Sequence, residues 1–491
     1  MNGPLILVAY GLVLFGLLVL SLHRAWLVSL YKKGAAGVGN NRGCGAASRE
    51  GPWPLVTVQL PVYNERFVIE RLIDATCRLD YPRDLLEIQV LDDSDDETVE
   101  LAGRLVRQHA ARGVRIEHLR RPGRSGYKAG ALAHGLRRAR GEFVLILDAD
   151  FLPQPDLLRR LLPPFEDQRV GMVQARWGHL NAERTWLTRA QALLLDGQFM
   201  IEHIARSTAG LFFNFNGTAG IWRVSCLRDA GGWQADTLTE DLDLSYRAQM
   251  RGWRLAYLPE VIVSGELPQS VRAFKNQQAR WSQGAVQAAR KLLPTLLRGD
   301  WPLRVKLAAA AHLSGHLAAP LTLALTLLVF PAVVVRLRGG QPWSLLVDLF
   351  LFIALMGPLN RYYVETLRAR GQRIWPAILL YLPLVMGLGV GISVSNTRSV
   401  AAGLVRRGPA EFVRTPKRGA APRGYRARPG WGATVVELAL SAYAALAVLY
   451  ALAHGLFATL PFLLLFLCGF SAVAAGSLAE ARSGRGLRAP S

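Results

Sequence analysis

A chain of 491 residues with 51% hydrophobic and 19% charged residues carries too much apolar content for a disordered basic chain, although 58 Lys and Arg against 36 Asp and Glu give a formal net charge of +22. Long apolar runs beside that positive balance favour a membrane protein with basic cytoplasmic faces over a nucleic-acid binder. Four cysteines (Cys44, Cys77, Cys226, Cys468) without CxxC or Cys/His spacing exclude a disulfide scaffold and a structural zinc site.

In chain order, Pro4 to Leu22 is an uncharged stretch of about the ~20 residues that cross a bilayer. His23-Arg24 and Lys32-Lys33 follow it, and no basic region precedes it. It is therefore expected to be an uncleaved anchor (1–22) with its N-terminus outside, followed by a basic linker over 23–50. From 51 to 300 the chain alternates between β-branched runs (Val56–Leu60, Ile88–Leu91, Phe143–Leu147) and helical periods (Val68–Arg78, Thr98–Arg112). That alternation predicts an α/β domain with a mostly parallel sheet covered by helices. Apolar stretches return at about 312–335, 343–359, 376–395, 433–453 and 455–475 within a C-terminal membrane region, 301–491. Asn396 to Trp431 holds nine Lys/Arg against one acid, Glu411, and reads as a cytoplasmic loop. A cytoplasmic α/β domain then needs an even number of spans before that loop. The segment 376–395, with Pro376, Pro383, Gly387, Gly389 and Gly391, is the expected exception, lying at the interface or re-entering, so that five spans are predicted.

Acidic residues collect where strands end. Asp92-Asp93-Ser94-Asp95-Asp96 follows one apolar run and Asp148-Ala149-Asp150 follows another, which puts both at the crevice where open α/β sheets bind ligands. Two carboxylates one residue apart suit a hard divalent cation, Mg²⁺ or Mn²⁺, that keeps waters and takes phosphate oxygens; a solvated turn or helix cap is the competing reading. With the cation, the matching chemistry is transfer from a nucleotide-activated donor. Thr239-Glu240-Asp241-Leu242-Asp243 reads equally as a helix N-terminus. Gln277, Arg280 and Trp281 share one face of a helix predicted over Val271–Leu297, suited to sugar and phosphate or to the membrane surface, and both readings are compatible.

Together, Asp92-Asp93, Asp148-x-Asp150, Thr239-Glu240-Asp241 and Gln277-x-x-Arg280-Trp281 resemble the D, DxD, TED, QxxRW signature of membrane-integrated family 2 glycosyltransferases, in the cellulose synthase-like and mannan synthase-like branch. Pro61-Val62-Tyr63-Asn64-Glu65, Gly126-Tyr127-Lys128-Ala129-Gly130, Phe212 to Gly220 and the Phe412 to Lys417 run, similar to an FxVTPK gating loop with Arg414 as a departure, extend the resemblance over roughly Pro54 to Lys417. It implies a GT-A-type, Rossmann-like cytoplasmic domain inserted between transmembrane α-helices. It also implies an inverting transferase that moves a hexose from UDP-glucose or GDP-mannose to a growing β-linked polysaccharide at the cytoplasmic (inner) membrane, with export through its own spans as a companion expectation. By the same resemblance Asp241, with Glu240 beside it, is catalytic, Asp241 as general base. Tyr63, Glu65, Asp92, Asp93, Lys128, Asp148, Gln277, Arg280, Thr415 and Lys417 hold the nucleotide-sugar. Asp148 and Asp150 hold the metal, and Trp281, Asn216, Gly217 and Thr218 face the acceptor.

A single-turnover glycolipid synthase shares the donor, metal and base, and differs only in its lipid acceptor. A transporter with a cytoplasmic regulatory domain is the non-enzymatic alternative, and two acids within the C-terminal spans, Asp348 and Glu437, give it no coupled ion pathway. A glycosidase needs two acids flanking the bond and no metal pair. No nucleic-acid recognition motif accompanies the basic charge.

Overall fold

The computed structural model describes residues 3–40, 51–339, 345–406 and 431–483. A long N-terminal helix, α1 (Gly3–Asn40), leads into an α/β domain: β1 (Val56–Val62), α2 (Ile69–Cys77), β2 (Leu86–Asp92), α3 (Thr98–Ala111), β3 (Ile116–Arg120), α4 (Tyr127–Arg138), β4 (Phe143–Ile146), α5 (Leu157–Leu161) and β5 (Val170–His179). It continues through α6 (Trp186–Asp196), a π-helical turn Gly197–Glu202, α7 (His203–Thr208), β6 (Gly220–Arg223), α8 (Val224–Asp229), α9 (Glu240–Met250), β7 (Arg254–Gly265) and α10 (Val271–Arg298). The remaining helices are α11 (Leu303–Leu313), α12 (Ala318–Arg338), α13 (Leu345–Ala369), α14 (Ile374–Gly391), α15 (Ser393–Val405), α16 (Trp431–Ala453) and α17 (Leu460–Ser483).

The predicted strands and helices of the α/β domain form within a residue or two of their sequence limits. β1, β2 and β4 are buried on both faces, as parallel strands between helical layers must be, and the polar residues on one face of β1 and β2 pair with each other, Thr57 with Glu87 and Gln59 with Gln89. α2 buries Ile69, Leu72, Ile73 and Thr76, the i, i+3, i+4, i+7 set of one helical face. The sheet runs β3-β2-β1-β4-β6-β5-β7, with β6 antiparallel to β4 and β5, so it is mixed rather than all parallel. Two apolar layers cover it, one around Val58, Ile88 and Leu145, the other around Ile146, Trp222 and Leu244.

Among the described residues, four helical stretches are long and apolar enough to cross a membrane: Gly3–Gly34, Gly315–Arg338, Gly432–Ala453 and Phe457–Arg482. They flank the α/β domain in sequence, one before it and three after it. α13, expected as a fifth span, is a continuous helix lying against α1 and outside those four. The 376–395 segment, expected not to span, is outside those four; it is helical over Ile374–Gly391 despite Pro383, and Gly387 and Gly391 serve helix contact. A Cβ on Gly391 would fall onto the Gly469 carbonyl of α17, and one on Gly469 would meet Gly387 O at 2.5 Å. Glycines one turn apart let the two backbones touch, the small-residue packing typical of apolar helices.

The seam between the α/β domain and the apolar helices joins apolar clusters, such as Leu187 and Leu193 with Leu382 and Val473, with buried polar contacts. Lys275 of α10 donates to Glu437 of α16 at 2.5 Å, with the Glu437 side chain fully buried. Glu480 of α17 accepts from the Val271 and Arg272 backbone N–H groups at the start of α10, at 2.5 and 3.2 Å. Tyr246 of α9 meets His312 of α11 at 2.8 Å, and Lys32 of α1 meets Glu365 of α13 at 2.7 Å.

Candidate active site

β1 is paired with β2 on one side and β4 on the other, so the chain direction across the sheet reverses there and the carboxyl ends of the strands open a crevice. The ends of five strands feed it. Tyr63 and Glu65 follow β1, Asp93 follows β2, and Asp148 and Asp150 follow β4, while His179 closes β5 and Glu266 follows β7; all line one cleft. Lys128 enters from the first turn of α4, Asn216 and Gly217 from the loop before β6, and Glu240 and Asp241 from the first turn of α9. Gln277, Arg280 and Trp281 project from α10 to complete the wall.

Charge organises the centre of the cleft. Lys128 Nζ donates to Asp148 Oδ1 at 2.6 Å and to the Gly217 carbonyl at 2.8 Å. Burial works against that ammonium, but Asp148, Glu240 and Asp241 outweigh it and hold its pKa above the ordinary lysine value. Burial, with the Glu240 carboxylate next to it, pushes Asp241 up to about 7 against the pull of Lys128. Glu240 is raised by burial as well, with Lys128 opposing. A carboxyl group near neutrality in a cleft is poised to take a proton at working pH. Gly217 is left-handed (φ +82°), and a Cβ there would sit 2.9 Å from Asp241 Oδ2, so this loop and α9 meet at backbone distance.

The acids after β4 are held differently. The Asp148 backbone N–H donates to Thr218 Oγ1 at 2.9 Å, and Asp150 Oδ2 accepts from the Glu266 N–H at 3.3 Å. Among the described residues no cluster of three or more His, Cys, Asp or Glu is arranged for a metal. The donor set is thus a carboxylate pair, the kind that suits a hard cation keeping its own waters and phosphate oxygens.

At the other end, Asp93 receives a two-pronged bond from Arg121, Nε to Oδ1 at 2.7 Å and Nη2 to Oδ2 at 2.6 Å, and Arg121 also holds the Ser125 and Tyr127 carbonyls. The Arg124 guanidinium stacks 3.2 Å from the Tyr63 ring centre. The three non-glycine residues with positive φ among the described residues are Asn64, Tyr127 (the first residue of α4) and Ala219, each within two residues of a residue lining this cleft. Such backbone costs about 1–2 kcal/mol per residue and persists where surrounding contacts over-determine it. Asn64 is held by reciprocal bonds with Asp95, at 2.8 and 3.1 Å.

Two of the residues singled out in the sequence lie behind the cleft surface. Asp92 is 2% exposed; its carboxylate takes the Ser94 N–H at 2.9 Å and His118 Nε2 at 2.8 Å. Burial works to raise it, and the bonds from His118 and Ser94 outweigh burial and hold it below the usual carboxylate value. Thr218 is fully buried and acts through Asp148. Thr415 and Lys417 lie outside the described residues. Asp243, the last acid of the Thr239–Asp243 run, is fully buried and bonds Arg247 and Lys291, so the run divides between the cleft and the α9–α10 contact. Arg121, Arg124, Trp177, His179 and Glu266 were not foreseen. The basic run before Gly126 was a usable signal for the arginines, and the undetected strand β5 hid Trp177 and His179.

Residues 53–284 match the model of the family described as Glycosyltransferase like family 2. The chain is similar to Glucomannan 4-beta-mannosyltransferase 2 of Arabidopsis thaliana, 45% identical over 251 residues that make up 50% of this chain and 47% of that protein. It is similar also to Glucomannan 4-beta-mannosyltransferase 1 of Oryza sativa subsp. japonica, at 44% identity over 50% of this chain and 48% of that protein. The chain thus spans about half the length of these relatives. Among solved structures, the mannosyltransferase PcManGT from Pyrobaculum calidifontis, in complex with GDP-Man and Mn²⁺, superposes with TM-score 0.50 at 24% identity, over 78% of this chain and 99% of that one, and shares the fold.

Proposed function

We propose that this chain, a membrane protein built around a family 2 glycosyltransferase domain, transfers a hexosyl group with inversion from a nucleotide-sugar to the hydroxyl of a β-linked glycan. The observation that carries the reading is the Asp241 carboxyl, raised to about 7 and facing the cleft that also holds Asp148, Asp150 and Lys128. The 4-beta-mannosyltransferase relatives and the GDP-Man of PcManGT favour mannose and GDP over glucose and UDP, and a β-mannan or glucomannan as product.

In this reading Tyr63 and Glu65 bind the nucleoside end of the donor, and Asp92, with Asp93, supports that wall. Asp148 and Asp150 hold the diphosphate together with Mg²⁺ or Mn²⁺; the Mn²⁺ in the PcManGT complex supports that pairing. When bound, the cation neutralises charge that builds on the leaving diphosphate. Lys128 and Arg280 add positive charge on the same side, and Gln277 offers an amide. Asp241 accepts the proton of the acceptor hydroxyl as the new C–O bond forms on the anomeric carbon and the C–O bond to the diphosphate breaks. Glu240 keeps that proton affinity high. Trp281, Asn216 and Gly217, with Thr218 behind them, orient the acceptor sugar. Thr415 and Lys417, in the basic segment after α15, contribute to nucleotide binding; α15 takes up the start of the loop expected over 396–431. The domain faces the cytoplasm, with the product leaving through the membrane region.

The test is purified protein with Mg²⁺ or Mn²⁺ and a panel of labelled nucleotide-sugars. The expected product is an insoluble or laddered glycan from GDP-mannose, and Asp241→Asn loses ~10²–10⁴-fold in turnover while still binding nucleotide. Equal turnover in wild type and Asp241→Asn sinks the reading. A single glycolipid spot replaces the polymer acceptor with a lipid one.

A further inference from the structure

We propose that His179 orients the acceptor sugar in the cleft, and that Asp196 and Arg370 are positioning residues that fix its ring from the membrane region. This deepens the transferase reading and rests on it. His179 ends β5 and lies two residues beyond Trp177, so both stand on one face of the strand, and both line the cleft. An aromatic plate beside an imidazole is a sugar-binding pair: the plate takes the apolar face of the ring, and the imidazole takes a hydroxyl.

His179 Nε2 lies 3.0 Å from Asp196 Oδ1, and Asp196 Oδ2 lies 3.3 Å from Nε of Arg370, just past the end of α13. The side chains of His179 and Asp196 are 8% and 9% exposed, so bulk water does not compete for this bond. A carboxylate accepting from Nε2 keeps a proton there and leaves Nδ1 as the second hydrogen-bonding atom, the usual device for fixing an imidazole's tautomer and tilt. The next residue reinforces the contact with α13. Gly197 opens a π-helical turn, and a Cβ on it would lie 2.6 Å from Tyr362 Cε1. A π turn placed at a functional wall is a recurrent pattern. The chain cleft–His179–Asp196–Arg370 thus links the acceptor wall to an apolar helix pair, α13 on α1, through two side-chain contacts.

The experiment uses the full-length protein in detergent with Mn²⁺, GDP-mannose and a short β-1,4-linked manno-oligosaccharide, and measures both transfer to sugar and donor hydrolysis by water. In His179→Ala the acceptor KM rises about tenfold, the loss of one hydrogen bond to a substrate, while donor hydrolysis and nucleotide binding stay at the wild-type level. Asp196→Asn gives a smaller rise of the same kind. Arg370→Ala follows Asp196→Asn, and Arg370→Lys restores the wild-type KM. His179→Gln is the second variant should alanine fail to fold, with the same expected split. An acceptor KM unmoved by His179 variants, or a parallel fall in transfer and hydrolysis, overturns the acceptor role. Absence of any donor turnover in the unmodified chain overturns the transferase reading itself and this inference with it.

Discussion

The two ends of the cleft are built on different physical plans. The end beside β1 and β2 is made by short loops that bond to themselves: Asn64 to Asp95, Asp93 to Arg121, Arg121 to the Tyr127 carbonyl. Its partners lie within about one βα unit, and it holds left-handed residues in place. The end toward the apolar helices is made by buried contacts between distant parts of the chain: Lys275 to Glu437, Val271 to Glu480, Tyr246 to His312, Asp196 to Arg370. Local loops set the shape of one end; long-range contacts register the other end against the apolar helices.

The largest effect that sharpens this contrast is a pH profile. Asp241 takes a proton only when ionised, so transfer falls about tenfold per pH unit below its pKa of about 7 and levels off above it. Lys128→Met removes the charge that opposes protonation of Asp241, so the acid limb of the profile moves to higher pH. Initial rates from pH 5 to 9 on both proteins check this, and a flat profile across that range breaks the assignment.

Next in size is the membrane end. Lys275→Met leaves Glu437 buried without its partner, an arrangement that costs about 3–5 kcal/mol, whereas the paired replacement Lys275→Met with Glu437→Leu recovers that loss or exceeds it by ~1–4 kcal/mol. Thermal unfolding in detergent measures both. A large fall in stability for the double variant denies that the seam is held as an isolated ion pair.

Legibility divides along the same line. Asp148, Asp150, Lys128 and Asp241 stood out because each sits within four residues of the end of a strand or the start of a helix, where periodicity breaks and a polar residue has a local reason to be noticed. His179 ends a strand whose residues, Val170 to His179, pass from apolar to polar without alternation, and nothing nearby announces Arg370 as its indirect partner. Glycines at 387, 389 and 391 were read as breakers because a sequence lists what a residue permits alone; that Gly469 stands opposite is a fact of tertiary packing. Asp243 shows the reverse error: the same acidic run that marked the cleft also supplied a clamp between α9 and α10.

A smaller effect belongs to the loop before β6. Gly217→Ala imposes a Cβ at φ +82° and 2.9 Å from Asp241 Oδ2. The backbone cost is about 1–2 kcal/mol, visible as a lowered Tm, and the displaced carboxylate lowers turnover more than nucleotide affinity. If nucleotide affinity falls equally with turnover, this loop belongs to the donor rather than to the base.

Tyr246→Phe tests the seam at its gentlest. Tyr246 and Asp241 share α9, and the Tyr246 hydroxyl, fully buried, bonds His312 Nδ1 at 2.8 Å while its ring rests edge-on against Phe212, 5.7 Å between centres. Phenylalanine keeps the ring contact and deletes the bond, so stability falls by about 1 kcal/mol, the net worth of one buried hydrogen bond. Because the bond ties α9 to α11 rather than to the nucleotide loops, turnover falls slightly and nucleotide affinity does not change. A change in nucleotide affinity instead means that the two ends of the cleft are mechanically one, and that the polar seam sets the donor site as well as the base.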